Sequence, residues 1–215
     1  MPRGTTKRRP ITISALLDAA MELFAEQGYG ATSIPDICTR AGLTKGAFYS
    51  NFANKDALFL ALLDRSWKRR AEWIRQALPA DDVLAAEESE GRASLAHLAV
   101  DRQWTLVSME FSLHAIRQPD VAELLVQHEL RVRSELAVLV TEALERAERL
   151  PTLPVDQLAC MIVAVTEGCG IQAMTNRAAG AVVHSDLGPR AVTAMLWHFS
   201  VPTESVIARG RGGSQ

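Results

Sequence analysis

The chain has 215 residues, of which 48% are apolar, and 23 Lys+Arg against 25 Asp+Glu give a formal net charge of −2. This composition excludes a disordered chain and a small disulfide scaffold, and a chain of this length buries roughly 70% of its extended surface without metals or crosslinks. The near-neutral total argues against nucleic acid only if charge is evenly spread. It is not: residues 1–70 carry 11 Lys+Arg against 6 Asp+Glu, a balance of +5, and the remainder carries 12 against 19, a balance of −7. Such asymmetry describes a basic module that meets a polyanion, joined to a module with another task.

Helical periodicity dominates the chain. The residues before position 11 form a flexible arm with Arg3, Lys7, Arg8 and Arg9. Over 11–27, Ile13, Leu16, Leu17, Ala20, Leu23 and Phe24 recur at helical spacing, and Gly28 follows as a stop. Ser33-Ile34-Pro35-Asp36 spells a capping box with proline in the first turn, which predicts a short helix over 34–41. Gly42-Leu43 breaks it, and Thr44 offers a second N-cap. The next helix, 45–52, sets Phe48 and Phe52 on one face and Lys45 and Tyr49 on another, each pair at i, i+4. Asn54 caps a longer helix that runs to about residue 77 and is long enough to link two domains.

Pro79 to Gly91 is acidic and reads as a solvated loop. Further helices are predicted over 92–117, 120–149, 155–177 and 189–199, and the glycine-rich end 208–215 as a flexible tail. In the 92–117 helix, Leu95, Leu98, Leu106, Met109, Leu113 and Ile116 form one apolar stripe. Val100, Trp104, Val107, Phe111 and His114 form another. A helix apolar on two sides is expected between layers. In the 155–177 helix, Ala159, Val163, Thr166, Gly170 and Ala173 make a strip of small residues that permits close helix approach.

Three cysteines, Cys38, Cys160 and Cys169, are an odd number at wide spacing, with no ligand pattern, so neither a disulfide framework nor a metal or cofactor site is implied. No stretch reaches the roughly 18 uncharged residues of a membrane helix, and Asp18 and Glu22 interrupt the first apolar stretch. A cytoplasmic protein without a membrane partner is expected.

Two short helices joined by a glycine turn, the second apolar within and polar without, are the signature of a helix-turn-helix. At the start of the second helix Thr44, Lys45 and Gly46 combine amide donors, a cation and a residue with no side chain, so backbone can approach phosphate. Tyr49 adds a hydroxyl one turn on. Taken singly these residues describe a solvated helix face; the caps, the turn, the aromatic inner face and the basic arm together describe a DNA reader.

Residues 11–58, from Ile11-Thr12-Ile13 through Ala41-Gly42-Leu43-Thr44-Lys45-Gly46-Ala47-Phe48-Tyr49-Ser50-Asn51-Phe52 to Lys55-Asp56-Ala57-Leu58, resemble the N-terminal domain of the TetR family of transcriptional regulators. The resemblance implies an all-α protein: a three-helix DNA-binding domain over 11–55, a helical effector-binding and dimerisation domain over 56–202, and a tail over 203–215. It implies that Ser33 caps helix two at a phosphate, that Thr44, Lys45 and Gly46 meet backbone or base edges, that Tyr49 contacts phosphate, and that Lys55 opens helix four beside the backbone. Arg40 is a further candidate contact with base or phosphate, and Asn51 has no assigned role. The partners implied are a double-stranded, palindromic operator, a second copy of the chain and a small-molecule effector.

For the effector, the resemblance adds Trp104, Phe111 and His114, with His128 and Glu167, as lining of a mostly apolar pocket, against the plainer reading of each as core packing. It likewise makes the small-residue strip, with Val192, Leu196 and Phe199, a homodimer face. Two enzyme signatures are rejected. Gly168-Cys169-Gly170-Ile171-Gln172-Ala173 fits a dinucleotide fingerprint but lacks the surrounding strands, and His184-Ser185-Asp186 cannot form a triad from adjacent positions. The function expected is a dimeric, ligand-released transcriptional regulator of the repressor type and not an enzyme. The alternative is a ligand-independent architectural DNA-binding dimer.

Overall fold

A computed structural model describes residues 8–77, 102–184 and 186–204. Most of the basic arm, the 79–91 loop, the stripe residues Leu95, Leu98 and Val100, Ser185 and the 208–215 tail lie outside the described residues. The described elements, in chain order, are α1 (Arg8–Ala31), α2 (Ile34–Arg40), α3 (Lys45–Tyr49), α4 (Lys55–Ala77), α5 (Arg102–Ile116), α6 (Pro119–Arg146), β1 (Arg149–Pro151), α7 (Val155–Ala178), α8 (Leu187–His198) and β2 (Ser200–Pro202). The fold is all-α, as the periodicity predicts.

The two short strands are a feature that periodicity does not reveal. They pair antiparallel, with Leu150 opposite Val201. Three residues carry no readable alternation.

Two compact units divide the chain. One comprises residues 1–68 and 103–128, the other 69–102 and 129–215, so the boundaries fall inside α4 and α6. The first unit therefore takes in α5, which the sequence reading groups with the effector half.

The core of the first unit is aromatic. Leu16, Ala20 and Phe24 of α1, Ile37 of α2, Phe48 of α3, Leu58 and Phe59 of α4, and Val107 and Phe111 of α5 are all buried. Phe59 and Phe111 stack with centroids 3.9 Å apart, and the Tyr29 ring meets Phe111 edge-on at 5.2 Å. The inner stripe of α5 thus faces α1 and α4. The outer stripe does not: Leu113 is 51% and Ile116 77% exposed, where the two-sided pattern predicts burial on both sides.

In the second unit α7 and α8 pack side by side. Leu158, Ala159 and Ile162 of α7 and Val192 and Leu196 of α8 are buried. Arg149 clips the end of α8 to β1: its Nε donates to Ser200 Oγ at 2.7 Å, and one Nη donates to the carbonyls of Trp197 (2.9 Å) and Ser200 (2.7 Å). Its guanidinium also lies 3.9 Å from the centroid of the Trp197 ring. A buried arginine is tolerated where its donors are met in this way.

One described helix, Val155–Ala178, is long and apolar enough by length and composition to cross a membrane, and most of its apolar stretch is not buried within the chain. Glu167 is the single charge between Asp156 and Arg177, and it divides this helix into two shorter uncharged runs.

Candidate nucleic-acid interface

α2 starts where the sequence places it. The Asp36 amide donates to Ser33 Oγ at 3.3 Å and the Ser33 amide donates back to Asp36 Oδ2 at 3.0 Å. The Ser33 hydroxyl, donating to Asp36 Oδ2 at 2.5 Å, and then the Ser33 amide hold the Asp36 carboxyl below its ordinary range. α2 ends in a Schellman turn: the Leu43 amide donates to the Cys38 carbonyl at 2.9 Å and the Gly42 amide to the Thr39 carbonyl at 3.1 Å. Gly42 sits at φ 66°, a left-handed conformation that favours glycine. Burial pushes the Cys38 thiol up, so this cysteine serves packing.

α3 then begins at Thr44, whose Oγ1 accepts from the Ala47 amide at 3.2 Å. Phe48 points inward and is fully buried, with Phe52 beside it at 5.8 Å between centroids. Everything polar on the helix faces out. Thr44, Lys45 and Gly46 are exposed, and the Tyr49 ring is 57% exposed, standing edge-on to Phe48 at 5.4 Å. A Cβ on Gly46 would meet only Thr44 Oγ1 at 3.7 Å, so the surface there is open to close approach. Asn51 closes the helix by donating to the Ala47 carbonyl at 2.8 Å, and Arg9 of α1 donates to its Oδ1 at 3.3 Å. This contact brings a cation of the arm to the end of α3.

Two of the candidate DNA contacts also bind groups within the unit. Arg40 spends its guanidinium on α1: one Nη donates to Glu26 at 2.8 Å, and the other reaches both Glu26 and Glu22 at 3.1 Å. The carboxylates raise the Arg40 pKa, and Arg40 in turn lowers that of Glu26. Lys55 Nζ donates to the carbonyls of Tyr29 at 2.6 Å and Thr32 at 2.8 Å, with the ammonium 4.2 Å from the Tyr29 ring centroid. Burial lowers its pKa. Both cations tie α2 and its approach to the rest of the unit.

The candidate effector residues fall into two groups. Trp104 packs against the first unit's core, and Phe111, 1% exposed and stacked on Phe59, keeps no ring face open. His114 Nε2 lies 3.0 Å from Asp56 Oδ1, and the same oxygen accepts from the Tyr29 hydroxyl. Burial and Asp56 together push the Tyr29 hydroxyl far up. His128 is buried and meets Asp64 at 2.8 Å. Glu167 belongs to the second unit. Loss of hydration raises its carboxyl, Glu129 adds to the rise, and Arg70 opposes it. Arg70 is itself lowered by loss of hydration, with Glu167 pulling the other way.

A family model for bacterial regulatory proteins of the tetR family matches residues 16–62, and a model for the C-terminal part of BetI-type transcriptional repressors matches residues 91–196. The HTH-type transcriptional repressor Rv3405c of Mycobacterium tuberculosis is 33% identical over 145 residues, which is 66% of this chain and 70% of the relative. The chain belongs to the TetR family of transcriptional regulators. Members of this family act in general as ligand-responsive dimeric repressors and are not enzymes. Among solved structures, GusR of Salmonella enterica superposes with a TM-score of 0.64 at 23% identity, covering 90% of this chain and 99% of that one. A transcriptional regulator from Saccharomonospora viridis in complex with choline gives 0.56 at 18% identity, covering 89% and 98%.

In a TetR-family chain the exposed Thr44-Lys45-Gly46 entry and Tyr49 sit on the outer side of the second helix of a helix-turn-helix. The hydrogen bonds that join Tyr29 to Asp56 and Glu110 are not predicted from the sequence. Their one early signal is the Gly28-Tyr29 pair at the end of the first helix, because a glycine stop leaves backbone groups that other residues must satisfy.

Proposed function

We propose that the chain is a repressor that binds a palindromic operator as a homodimer and releases it when a small, largely apolar molecule enters its C-terminal unit. The observation that carries the DNA reading is the division of α3: Phe48 is turned wholly inward, while Thr44, Lys45, Gly46 and Tyr49 are all exposed on the outer side. A helix so divided can enter a major groove, with Lys45 and Tyr49 reaching phosphate or base edges and the Ser33 and Thr44 caps beside the backbone. Arg40 and Lys55 act from behind, by holding α2 in place. The repressor sense is supported by the names of the matched C-terminal model and of the mycobacterial relative.

Dimerisation draws support from α7 and α8. Val192 and Leu196 are consumed within the chain, so the face offered to a second copy is the outer one: Met161 and Ile171 of α7 with Trp197 of α8, the last 54% exposed. Covering it by a second copy accounts for a long apolar helix left largely outside the core. The effector reading leans on Glu167 and Arg70, two opposite charges from α7 and α4 that have each lost hydration in the second unit. The choline complex of the structural relative shows that the same fold accepts a small organic cation in that protein. Phe111, His114 and His128 are read as internal supports.

The mechanism is a population shift: a ligand that favours a dimer whose recognition helices no longer match half-sites one DNA turn apart releases the operator. The test is to recover bound duplex from a random DNA pool, measure its affinity, and screen small molecules by thermal shift. The proposal expects a palindromic duplex and at least one stabilising compound that also lowers affinity. A non-palindromic site would contradict the dimeric reading. A duplex that no stabilising compound releases would favour the architectural alternative.

A further inference from the structure

The first unit contains a corner that α1 cannot complete by itself. α1 breaks at Gly28, where φ is 85° and ψ 161°, and one more turn follows before the Ser33 cap of α2. Such a break turns backbone groups away from their helical partners, and each needs another. The carbonyl side is met from nearby: Thr32 Oγ1 donates to the Gly28 carbonyl at 2.8 Å, and Lys55 Nζ donates to the carbonyls of Tyr29 and Thr32. The amide side is met from α5, 81 residues away. The Tyr29 amide donates to Glu110 Oε2 at 2.6 Å, a charge-assisted bond.

The backbone at position 28 favours glycine, and the Glu110 carboxylate comes close to it. A Cβ at position 28 would lie 2.8 Å from Glu110 Oε2, and the positive φ disfavours any side chain there as well. One turn further along α5, His114 reaches Asp56 Oδ1, which also accepts from the Tyr29 hydroxyl. Tyr29 is thereby held at both ends from α5: its amide by Glu110 directly, its hydroxyl through Asp56 and His114.

The corner is the covalent link between α1 and the helix-turn-helix. Arg40 fastens the far end of α2 to Glu22 and Glu26, so the Gly28–Ser33 corner is the tie at the near end. We propose that Glu110 is a positioning residue for DNA recognition: by accepting the Tyr29 amide it closes the Gly28 break and fixes the direction in which α2 and α3 leave α1. Glu110 itself does not touch DNA. The inference rests on the reading of the outer face of α3 as the DNA surface.

Reach and charge can be separated. Glu110→Gln keeps an acceptor oxygen at the same distance from α5, whereas Glu110→Asp keeps the charge but is one methylene too short. The full-length protein is assayed with the duplex that the wild type selects from a random pool, together with hydrogen exchange at the Tyr29 amide and a thermal melt. The tie predicts that Glu110→Asp exchanges the Tyr29 amide rapidly and binds the duplex about tenfold more weakly at temperatures well below its melt, the scale expected when a half-buried donor loses a charged acceptor. Glu110→Gln keeps both properties close to wild type.

A Glu110→Asp protein that exposes the Tyr29 amide but binds duplex like the wild type overturns the positioning role. A Gln variant that loses binding while Asp keeps it overturns the role of reach and leaves only charge. Should Glu110→Asp not fold, Glu110→Ala at this exposed position carries the test: a rapidly exchanging Tyr29 amide with weakened duplex binding supports the tie, and the same exchange with unchanged duplex affinity refutes it. If the wild type selects no duplex at all, the DNA reading of α3 fails instead, and the two failures are told apart.

Discussion

α3 and α7 show opposite things to their surroundings. α3 has five residues, buries its Phe48 completely and leaves Lys45, Gly46 and Tyr49 outside. α7 has 24 residues, buries Leu158, Ala159 and Ile162 near its start, and leaves Met161 and Ile171 outside with only Glu167 as a charge along its middle. The polar, cationic outer side of α3 suits a partner that is hydrated and anionic. The apolar outer side of α7 suits a partner that is another apolar surface. Function in this chain is legible from what each helix does not bury.

The difference is open to attack at several points, beginning where the largest change is expected. Phe111 supports the α3 side from within, stacked on Phe59 and wholly buried, so Phe111→Ala is expected to destabilise the first unit by about 3–5 kcal/mol. Urea unfolding monitored by circular dichroism measures it. A loss below about 1 kcal/mol would reopen Phe111 as a ligand-facing residue.

Lys45→Ala with Tyr49→Ala is expected to abolish specific operator binding, a loss on the order of a hundredfold or more, while the helical circular-dichroism signal stays intact. Fluorescence anisotropy with the selected duplex reads this directly. Unchanged affinity would remove the DNA role of the outer side of α3.

On the α7 side, Trp197→Ala removes the exposed ring that Arg149 holds from behind. A buried aromatic anchor at an interface is worth about 2 kcal/mol, so the dimer should dissociate roughly thirtyfold more readily in sedimentation equilibrium. Dimerisation unaffected by the substitution would place the self-association surface elsewhere.

The smallest effect concerns the start of α2. Asp36 is held below its ordinary range by Ser33, so the capping contribution is present above the unfolded-state value of an aspartate and is lost as pH falls through the lowered folded-state value. Thermal melts between pH 5 and about 2 should therefore lose a small increment that Asp36→Asn never shows. Parallel melting curves for the two proteins would contradict the role of the box.

Much of this was readable from residues because local rules govern it. The Ser33 and Thr44 caps, the Gly42 turn and the inward Phe48 each depend on neighbours within a few positions, and all are seen in the structure. Long-range partners were not readable. Nothing near Arg40 in the sequence says that Glu22 and Glu26 will take its guanidinium, and nothing near Lys55 says that two carbonyls at the end of α1 will take its ammonium. The 92–117 helix shows the same limit: two apolar stripes were visible, but which one meets α1 and α4 depends on contacts some 50 to 90 residues away. The β1–β2 pair and the Arg149 clip escaped for the same reason.

The most direct test of the central claim is the salt dependence of operator affinity. Each phosphate neutralised by the protein contributes about −0.9 to the slope of log affinity against log salt. If Lys45 on the outer side of α3 meets the DNA backbone, Lys45→Ala lowers affinity and makes the slope shallower by about 0.9. A slope and an affinity both identical to the wild type would show that this helix does not meet DNA.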